Sequence, residues 1–330
     1  MKILITGGAG FIGSNFVYYV LEKRKEWDVV CLDKLTYAAN IHTLDQAFQN
    51  KKFKFIKGDI SNKDFIFDVF REENFDVVIN FAGESHVDKS IEDPAIFLIS
   101  NLIGTQVLMD ASRKFGVRRY HQVSTDEVYG DLPIDRPDLL FTESSLIQTS
   151  SPYAASKAAA DLLAQSYFRT YRFPVTISRS SNNYGPYQFV EKLIPSMIIR
   201  ALNDQMLPLY GEGINIRDWL HVYDHCSALA LVLDHGKNGE VYNIGGNNER
   251  TNLYVVKRIL RELGKPETLI EYVEDRPGHD LRYAIDSTKM KKMFCWEPLI
   301  RFEDGLGDTI RWFLNNQDWW NDMAGVLRDE

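Results

Sequence analysis

Two short stretches of this chain hold residue types able to move protons. They are Ser-Thr-Asp-Glu-Val-Tyr-Gly at 124–130 and Ser-Pro-Tyr-Ala-Ala-Ser-Lys at 151–157. The second reads as a helix start. Ser151 suits an N-cap, and Pro152 suits the first helical position, where its missing N–H costs nothing. Ala154, Ala155, Ala158, Ala159 and Ala160 then propagate the helix. Tyr153 and Lys157, four apart, share one face of it. A phenol titrates near pH ~10 when unperturbed, and a nearby ammonium favours its ionised form. Tyr-x-x-x-Lys is therefore a way to build a general base for a sugar or alcohol hydroxyl. An ordinary surface helix has the same spacing, so the pair needs other evidence beside it.

The first stretch follows Tyr120-His121-Gln122-Val123, an apolar-leaning strand. Thr125, Asp126 and Glu127 then sit where a parallel strand ends, which is where open α/β sheets keep their ligands. Two adjacent carboxylates can serve as an acid and a base if their surroundings push their pKa values apart. The alternative is a solvated turn. Neighbouring side chains on an extended strand diverge, so the acid–base reading requires the strand to end by Asp126.

The elements before these stretches read as a nucleotide-binding frame. The strand Ile3-Leu4-Ile5-Thr6 leads into Gly7, Gly10 and Gly13, spaced G-x-x-G-x-x-G, and then a helix through about Leu21. Glycines let the backbone turn tightly and approach a pyrophosphate seated on the helix N-terminus. The next strand, Asp28–Leu32, ends at Asp33, an acid placed to hydrogen-bond a ribose 2′-hydroxyl and to repel a 2′-phosphate. That favours NAD over NADP. Strands at 53–56 and 77–81 and helices near 62–72 and 94–115 continue the alternation, which implies a parallel sheet with helices on both faces. The expected fold is an α/β, Rossmann-type doubly wound parallel sheet over residues 1–180, with returns near 216–245. A smaller C-terminal substrate-binding lobe is expected mainly over 181–330. His86, after a strand end, is given a structural or supporting place. Residues 131–150 read as a long loop beside the catalytic stretch, more often functional than a linker.

In the second half a strand near 174–179 runs into Ser180–Pro186, whose Ser and Asn groups suit sugar hydroxyls. A helix to about 203, the segment Leu207–Gly211 and a last helix near 303–315 follow, and Trp319 and Trp320 read as packing residues. Arg217 and Arg276 each fall in a turn-like setting; with Lys192 they could form the local positive cluster that holds a diphosphate. A surface ion pair is the other account of each Arg. The whole chain, with 38 basic and 46 acidic residues, carries a net charge of −8, which argues against a general nucleic-acid binder. Cys31, Cys226 and Cys295 lie far apart without metal-ligand spacing, so no metal site is expected and a reduced, cytoplasmic compartment is the simplest setting. Met1 leads straight into a strand, and no apolar run reads as long enough to span a bilayer, so no membrane partner is expected.

Taken together, Asp33–Tyr37, Glu84–Asp88, Ser124–Gly130, Ser181–Pro186, Glu191–Pro195, Arg217–Leu220, Tyr242–Gly246 and Asp275–Asp280 resemble the extended short-chain dehydrogenase/reductase superfamily. Within it they resemble the dTDP-glucose 4,6-dehydratase family, over nearly the whole chain. Thr-Asp-Glu is the most specific segment, because related epimerases share the Tyr and Lys but lack the carboxylate pair. The resemblance implies a hydro-lyase with tightly bound, regenerated NAD, acting on a nucleoside-diphosphate-glucose in deoxysugar (for example rhamnose) synthesis. It implies that Tyr153 takes the proton from the 4-hydroxyl, with Lys157 holding the nicotinamide ribose and Thr125 on the 4-oxygen. Glu127 would abstract the C5 proton and Asp126 protonate the departing 6-hydroxyl. By resemblance, cofactor contacts fall on Phe11, Ile12, Asp33, Lys34, Leu35, Thr36, Asp59, Ile60, Phe81, Ala82, Gly83, Ser100 and Asn183, beside Gly7, Gly10, Gly13, Tyr153 and Lys157. Substrate contacts fall on Ser85, Thr125, Asn182, Lys192, Leu193, Pro208, Leu209, Tyr210, Arg217, Asn252, Asp275, Arg276, Pro277, Gly278 and His279. A homodimer built on the helices near 94–115 and 152–172 is implied too. Gly83, Ser180 and Val190 stand where the family usually has Ala, often Cys and commonly Pro. A nucleotide-sugar 4-epimerase and a non-catalytic NAD-sensing protein are the alternatives; the first is disfavoured by Asp126 and Glu127, the second by Tyr153 and Lys157.

Overall fold

The computed structural model describes residues 1–321, 323 and 325. Among these residues the strands form three sheets. The largest joins β1 (Lys2–Thr6), β2 (Asp28–Asp33), β3 (Phe53–Lys57), β4 (Val77–Asn80), β5 (Arg119–Thr125), β6 (Val175–Ser180) and β10 (Val241–Ile244). All run parallel, in the order β10-β6-β5-β4-β1-β2-β3. Central strands such as Val77-Val78-Ile79-Asn80 are buried along their whole length, as a sheet covered on both faces requires.

One face is covered by α1 (Phe11–Lys23) and α8 (Val222–His235), whose Phe16, Val17, Cys226 and Leu229 share a core with β1 and β2. The other carries α2 (Lys63–Glu73), α5 (Gly104–Lys114) and α6 (Pro152–Tyr171), packing Ile66, Phe70, Leu108 and Ala164 against the strands. The strand order reverses between β1 and β4, so a crevice opens at their carboxyl ends.

The second lobe is built on two small sheets. In one, β9 (Ile216–His221) lies between β7 (Asn182–Tyr184) and β11 (Glu249–Thr251); in the other β8 (Leu207–Tyr210) pairs with β12 (Ile270–Val273). Its core joins Ile198 of α7 (Leu193–Leu202), Val256 of α9 (Asn252–Leu263), and Phe302 and Phe313 of α11 (Phe302–Asn315). The helix α10 (Thr288–Phe294) adds Met290 to the α1–α8 side of the large sheet. Trp320 of α12 (Gln317–Asn321) is buried in the lobe core, and Trp319 packs on it while donating to the Thr43 hydroxyl. Both are packing residues, as expected.

One expectation needs correction. The helices α4 (Pro94–Phe97) and α5 are joined by a π-helical turn at Leu98–Ile103 into one run, Pro94–Lys114. By length and composition this run is apolar enough to cross a membrane, although half of its apolar window is buried in the fold. The sequence reading missed it because Asn101, Gly104 and Thr105 interrupt the apolar residues without ending the helix. Its outer side exposes Ile96, Leu98, Ile99 and Ile103.

Candidate active site

The strand β5 ends at Thr125, so the condition on the carboxylate pair is met. Thr125 caps a 3₁₀ turn, Asp126–Tyr129, its side chain accepting from the Glu127 N–H at 3.3 Å. The turn sends the two carboxyls into different surroundings. Asp126 is almost fully buried and one of its oxygens has no hydrogen-bond partner among the described residues. Burial, then the charge of Glu127, pushes its carboxyl well above the usual range. Glu127 is partly buried; burial raises it too, but Arg217, Arg276 and Lys192 pull it back. Both carboxyls are raised, but Asp126 more strongly, because the cations offset part of the burial at Glu127 alone; surroundings that separate two carboxyls in this way let one site run an acid and a base.

Across from them, Ser151 caps α6 by accepting from the Ala154 N–H, with Pro152 in the first turn, as the sequence indicates. Tyr153 and Lys157 are both buried and both line the crevice. The Tyr153 N–H donates to the Ser90 hydroxyl at 3.1 Å, and the Lys157 ammonium donates to the Val123 carbonyl at 2.7 Å. Burial pulls Lys157 down to about 8, against the charge of Asp161. The tyrosine departs from expectation. Burial and the Glu127 carboxylate hold its phenol far above the ordinary value, and the opposing contribution comes from a hydrogen bond to Thr125. The carboxylates therefore outweigh the ammonium in setting this phenol.

The crevice continues from Tyr153 to the glycine turn. Gly7 adopts φ 67° and stands so close to Phe81 and Ala82 that a Cβ would fall 2.6 Å from a backbone nitrogen. A Cβ on Gly13 would fall 2.2 Å from the Gly7 carbonyl oxygen. The α1 N-terminus, capped by Gly10 without a side-chain hydrogen bond, leaves its first N–H groups to the crevice. Asp33 accepts from the Ala9 N–H at 3.0 Å through one oxygen and from Leu35 at 2.7 Å through the other, each keeping a lone pair for a ribose hydroxyl. Lys34 pairs with Asp59 at 2.8 Å. Of the residues expected at a cofactor, Gly7, Gly10, Phe11, Ile12, Gly13, Asp33, Lys34, Thr36, Asp59, Ile60, Phe81, Ala82, Gly83, Ser100, Tyr153 and Lys157 line this crevice. Leu35 and Asn183 are not among the lining residues. Leu35 packs on the α1 core, and the Asn183 side chain meets His225 and the Ser181 carbonyl. Gly83 has a local reason: a Cβ there would lie 2.6 Å from the Asn101 side-chain oxygen.

Beyond Tyr153 the cationic residues converge. Arg217 is buried, donates to the Asp280 carbonyl at 2.9 Å and lies 4.3 Å over the Tyr283 ring. Arg276 pairs with Asp88 at 2.9 Å, and Lys192 donates to the Ser85 carbonyl at 3.1 Å. All three act on Glu127, so they face one space. His279 pairs with Asp275 at 2.6 Å beside the Tyr210 ring, while Pro277 and Gly278 are exposed. Asn182 and Asn252 each carry an oxygen without a hydrogen-bond partner among the described residues. Pro208 alternates on β8 with Leu209, which is buried in the lobe core, and Leu193 packs on the same core.

Several further residues of the site carry no local signal in the sequence. Asn101, in the π turn, brackets Glu84 with both ends of its amide and donates to Ser156 of α6 at 2.8 Å. Such a turn in an α-helix often marks a functional site, but nothing local in the sequence announces it. Ser124, Gln188 and Phe189 line the crevice, and Tyr283 closes the Arg217 side. His86 caps α3 (Val87–Glu92), and its ring lies 3.6 Å from the buried Glu191 carboxylate. Among the described residues there is no His, Cys, Asp and Glu grouping able to hold a metal.

Comparison with known proteins places this geometry in context. The family model described as GDP-mannose 4,6 dehydratase matches residues 4–309. The Escherichia coli dTDP-glucose 4,6-dehydratase is 48% identical over 348 residues, covering 97% of this chain and 95% of that one. The dTDP-glucose 4,6-dehydratase of Bacillus anthracis, solved in complex with NAD, superposes with a TM-score of 0.91 at 48% identity, covering 98% of this chain and 99% of that one. That of Streptomyces venezuelae, solved with NAD and TYD bound, gives a TM-score of 0.93 at 44% identity, covering 98% and 100%.

Proposed function

The chain belongs to the GDP-mannose 4,6-dehydratase family and, within it, to the dTDP-glucose 4,6-dehydratases; from that premise we propose that it converts dTDP-glucose, with NAD, into the 4-keto-6-deoxy sugar. The observation that carries the reading is the carboxylate pair beside the tyrosine. Glu127 is close enough to Tyr153 to be the largest influence on its phenol after burial. An oxidation site and an elimination site thus share one space.

The crevice fits NAD. Glycines stand where a Cβ would strike backbone, the α1 N-terminus is open to a pyrophosphate, and the Asp33 carboxylate can receive a ribose hydroxyl. Bound there, NAD supplies the acceptor for the C4 hydride and later the donor of that hydride to C6. Tyr153 takes the proton from O4 as the hydride leaves C4; after turnover it releases that proton to solvent while Asp126 recovers one, so the enzyme returns to its starting protonation. Thr125 hydrogen-bonds the same oxygen, and Lys157 keeps a positive charge by the cofactor end. The C4 ketone acidifies C5–H, and Glu127 takes that proton. Asp126, held protonated by burial, gives its proton to O6, and water leaves. Glu127 then returns its proton to C5, so no net redox change remains. Lys192, Arg217 and Arg276 take the nucleotide diphosphate.

We further infer residues 1–180, with the return near 216–245 whose α8 and β10 join the large sheet, as the cofactor unit and 181–330 as mainly the sugar-nucleotide lobe. The exposed apolar side of Pro94–Lys114, next to α6, is read as a self-association face of a cytoplasmic homodimer instead of a membrane span. The test is incubation with dTDP-glucose, UDP-glucose and GDP-mannose, with sugar mass followed. Loss of one water from dTDP-glucose without added reductant is expected; inversion at C4 without loss of mass contradicts the reading.

A further inference from the structure

Behind the tyrosine and lysine lies a charge pair that the mechanism above does not use. Asp161 stands four residues after Lys157 on α6, on the same face. Its carboxylate accepts from Arg179 of β6 at 2.9 Å, and the two side chains are 0% and 2% exposed. Ser124, which lines the crevice, faces the same carboxyl. The Arg179 guanidinium lies 4.8 Å over the Tyr129 ring, and Tyr129 closes the turn that begins with Asp126 and Glu127. One buried ion pair therefore touches both the helix bearing Tyr153 and Lys157 and the turn bearing the acids.

Taking two charges out of water is costly, and an apolar pair of similar volume often stabilises a fold at least as well. Stability alone does not account for the pair. We propose that Asp161, held by Arg179 and one helical turn from Lys157, is a positioning residue for the first hydride transfer, acting through Tyr153 and Lys157 on the same helix. This rests on the roles given to those two residues above. The charged and titratable groups facing this space are Tyr153 and Lys157 on α6, Asp126, Glu127 and Tyr129 after β5, and Arg179 on β6. Lys192, Arg217 and Arg276 face Glu127 from the lobe side. Burial raises the Asp161 carboxyl and Arg179 opposes that rise, while Asp161 itself raises the proton affinity of both Lys157 and Tyr153.

The test is the pH dependence of NADH formation when NAD-loaded protein meets dTDP-glucose in a single turnover. In Asp161→Asn both limbs of the profile should move to lower pH, by about one unit or more, because a negative charge has left the neighbourhood of a phenol and an amine. That variant strands Arg179, so Asp161→Asn/Arg179→Met, which leaves no unpaired buried charge, is measured beside it; its alkaline limb should also move to lower pH. Unmoved limbs in either folded variant, or a slower rate without displacement, overturn the proposal. Wild-type protein that forms no NADH overturns the substrate assignment and this inference together, whereas wild-type NADH with unmoved limbs overturns this inference alone.

Discussion

The two ends of the crevice are built by opposite means. At the glycine end the backbone does the shaping: Gly7 crowds Phe81 and Ala82, Gly13 crowds Gly7, and Asp33 is held by two backbone N–H groups. At the other end the shape comes from charge, with Arg217, Arg276 and Lys192 drawn from three separate segments. Each already has a protein partner: carbonyls of the 280–281 segment, Asp88, and Ser85 with Glu191. At the first end neither Gly7 nor Gly13 can take a Cβ without a shift of backbone. The second is a network in which removing one member leaves the others in place.

Two substitutions sharpen this contrast. Gly13→Ala puts a Cβ 2.2 Å from a backbone oxygen that cannot move without moving the turn. Affinity for NAD should fall by an order of magnitude or more, at least about 1.4 kcal/mol, in a direct titration. Unchanged NAD binding would mean that the turn is not the cofactor seat. Arg217→Ala removes one charged member of the network, worth about 1.5–3 kcal/mol for a hydrogen bond to a charged group. KM for dTDP-glucose should rise by roughly 10–150-fold while NAD affinity stays within about twofold. An unchanged KM would return Arg217 to a purely internal role on the Asp280 and Leu281 carbonyls.

The same contrast explains what could be read from the sequence. The glycine end is contiguous: strand, Gly7–Gly13, helix, strand and Asp33 follow in order, so periodicity and spacing lead to it directly. Tyr153 and Lys157 are likewise local, one helical turn apart behind a Ser-Pro start. Asn101 and Tyr283 were not legible. Asn101 acts through a π turn that no residue type signals, and Tyr283 matters because β9 and the 280–285 segment meet, with Ile216 bridged to Arg282. The resemblance supplied Leu35 and Asn183 as cofactor contacts; neither is among the residues lining the crevice, and both are half-buried beside it. The proton affinity of Tyr153 also lay beyond the sequence. It depends first on burial and then on the approach of Glu127 from another element, neither of which the four-residue spacing to Lys157 contains.

The central claim is that oxidation and elimination share one space but use different residues, and the Glu127→Gln variant tests it most directly. NAD-loaded variant is mixed with dTDP-glucose, and NADH absorbance and sugar mass are followed together through one turnover. NADH should form, because Tyr153 and Lys157 are intact. Its acid limb should move to lower pH, since removing the Glu127 charge lowers the proton affinity of the Tyr153 phenol. Water loss should slow by about 10²–10⁴-fold, the usual contribution of a general base. Water loss at the wild-type rate in this variant would contradict the account.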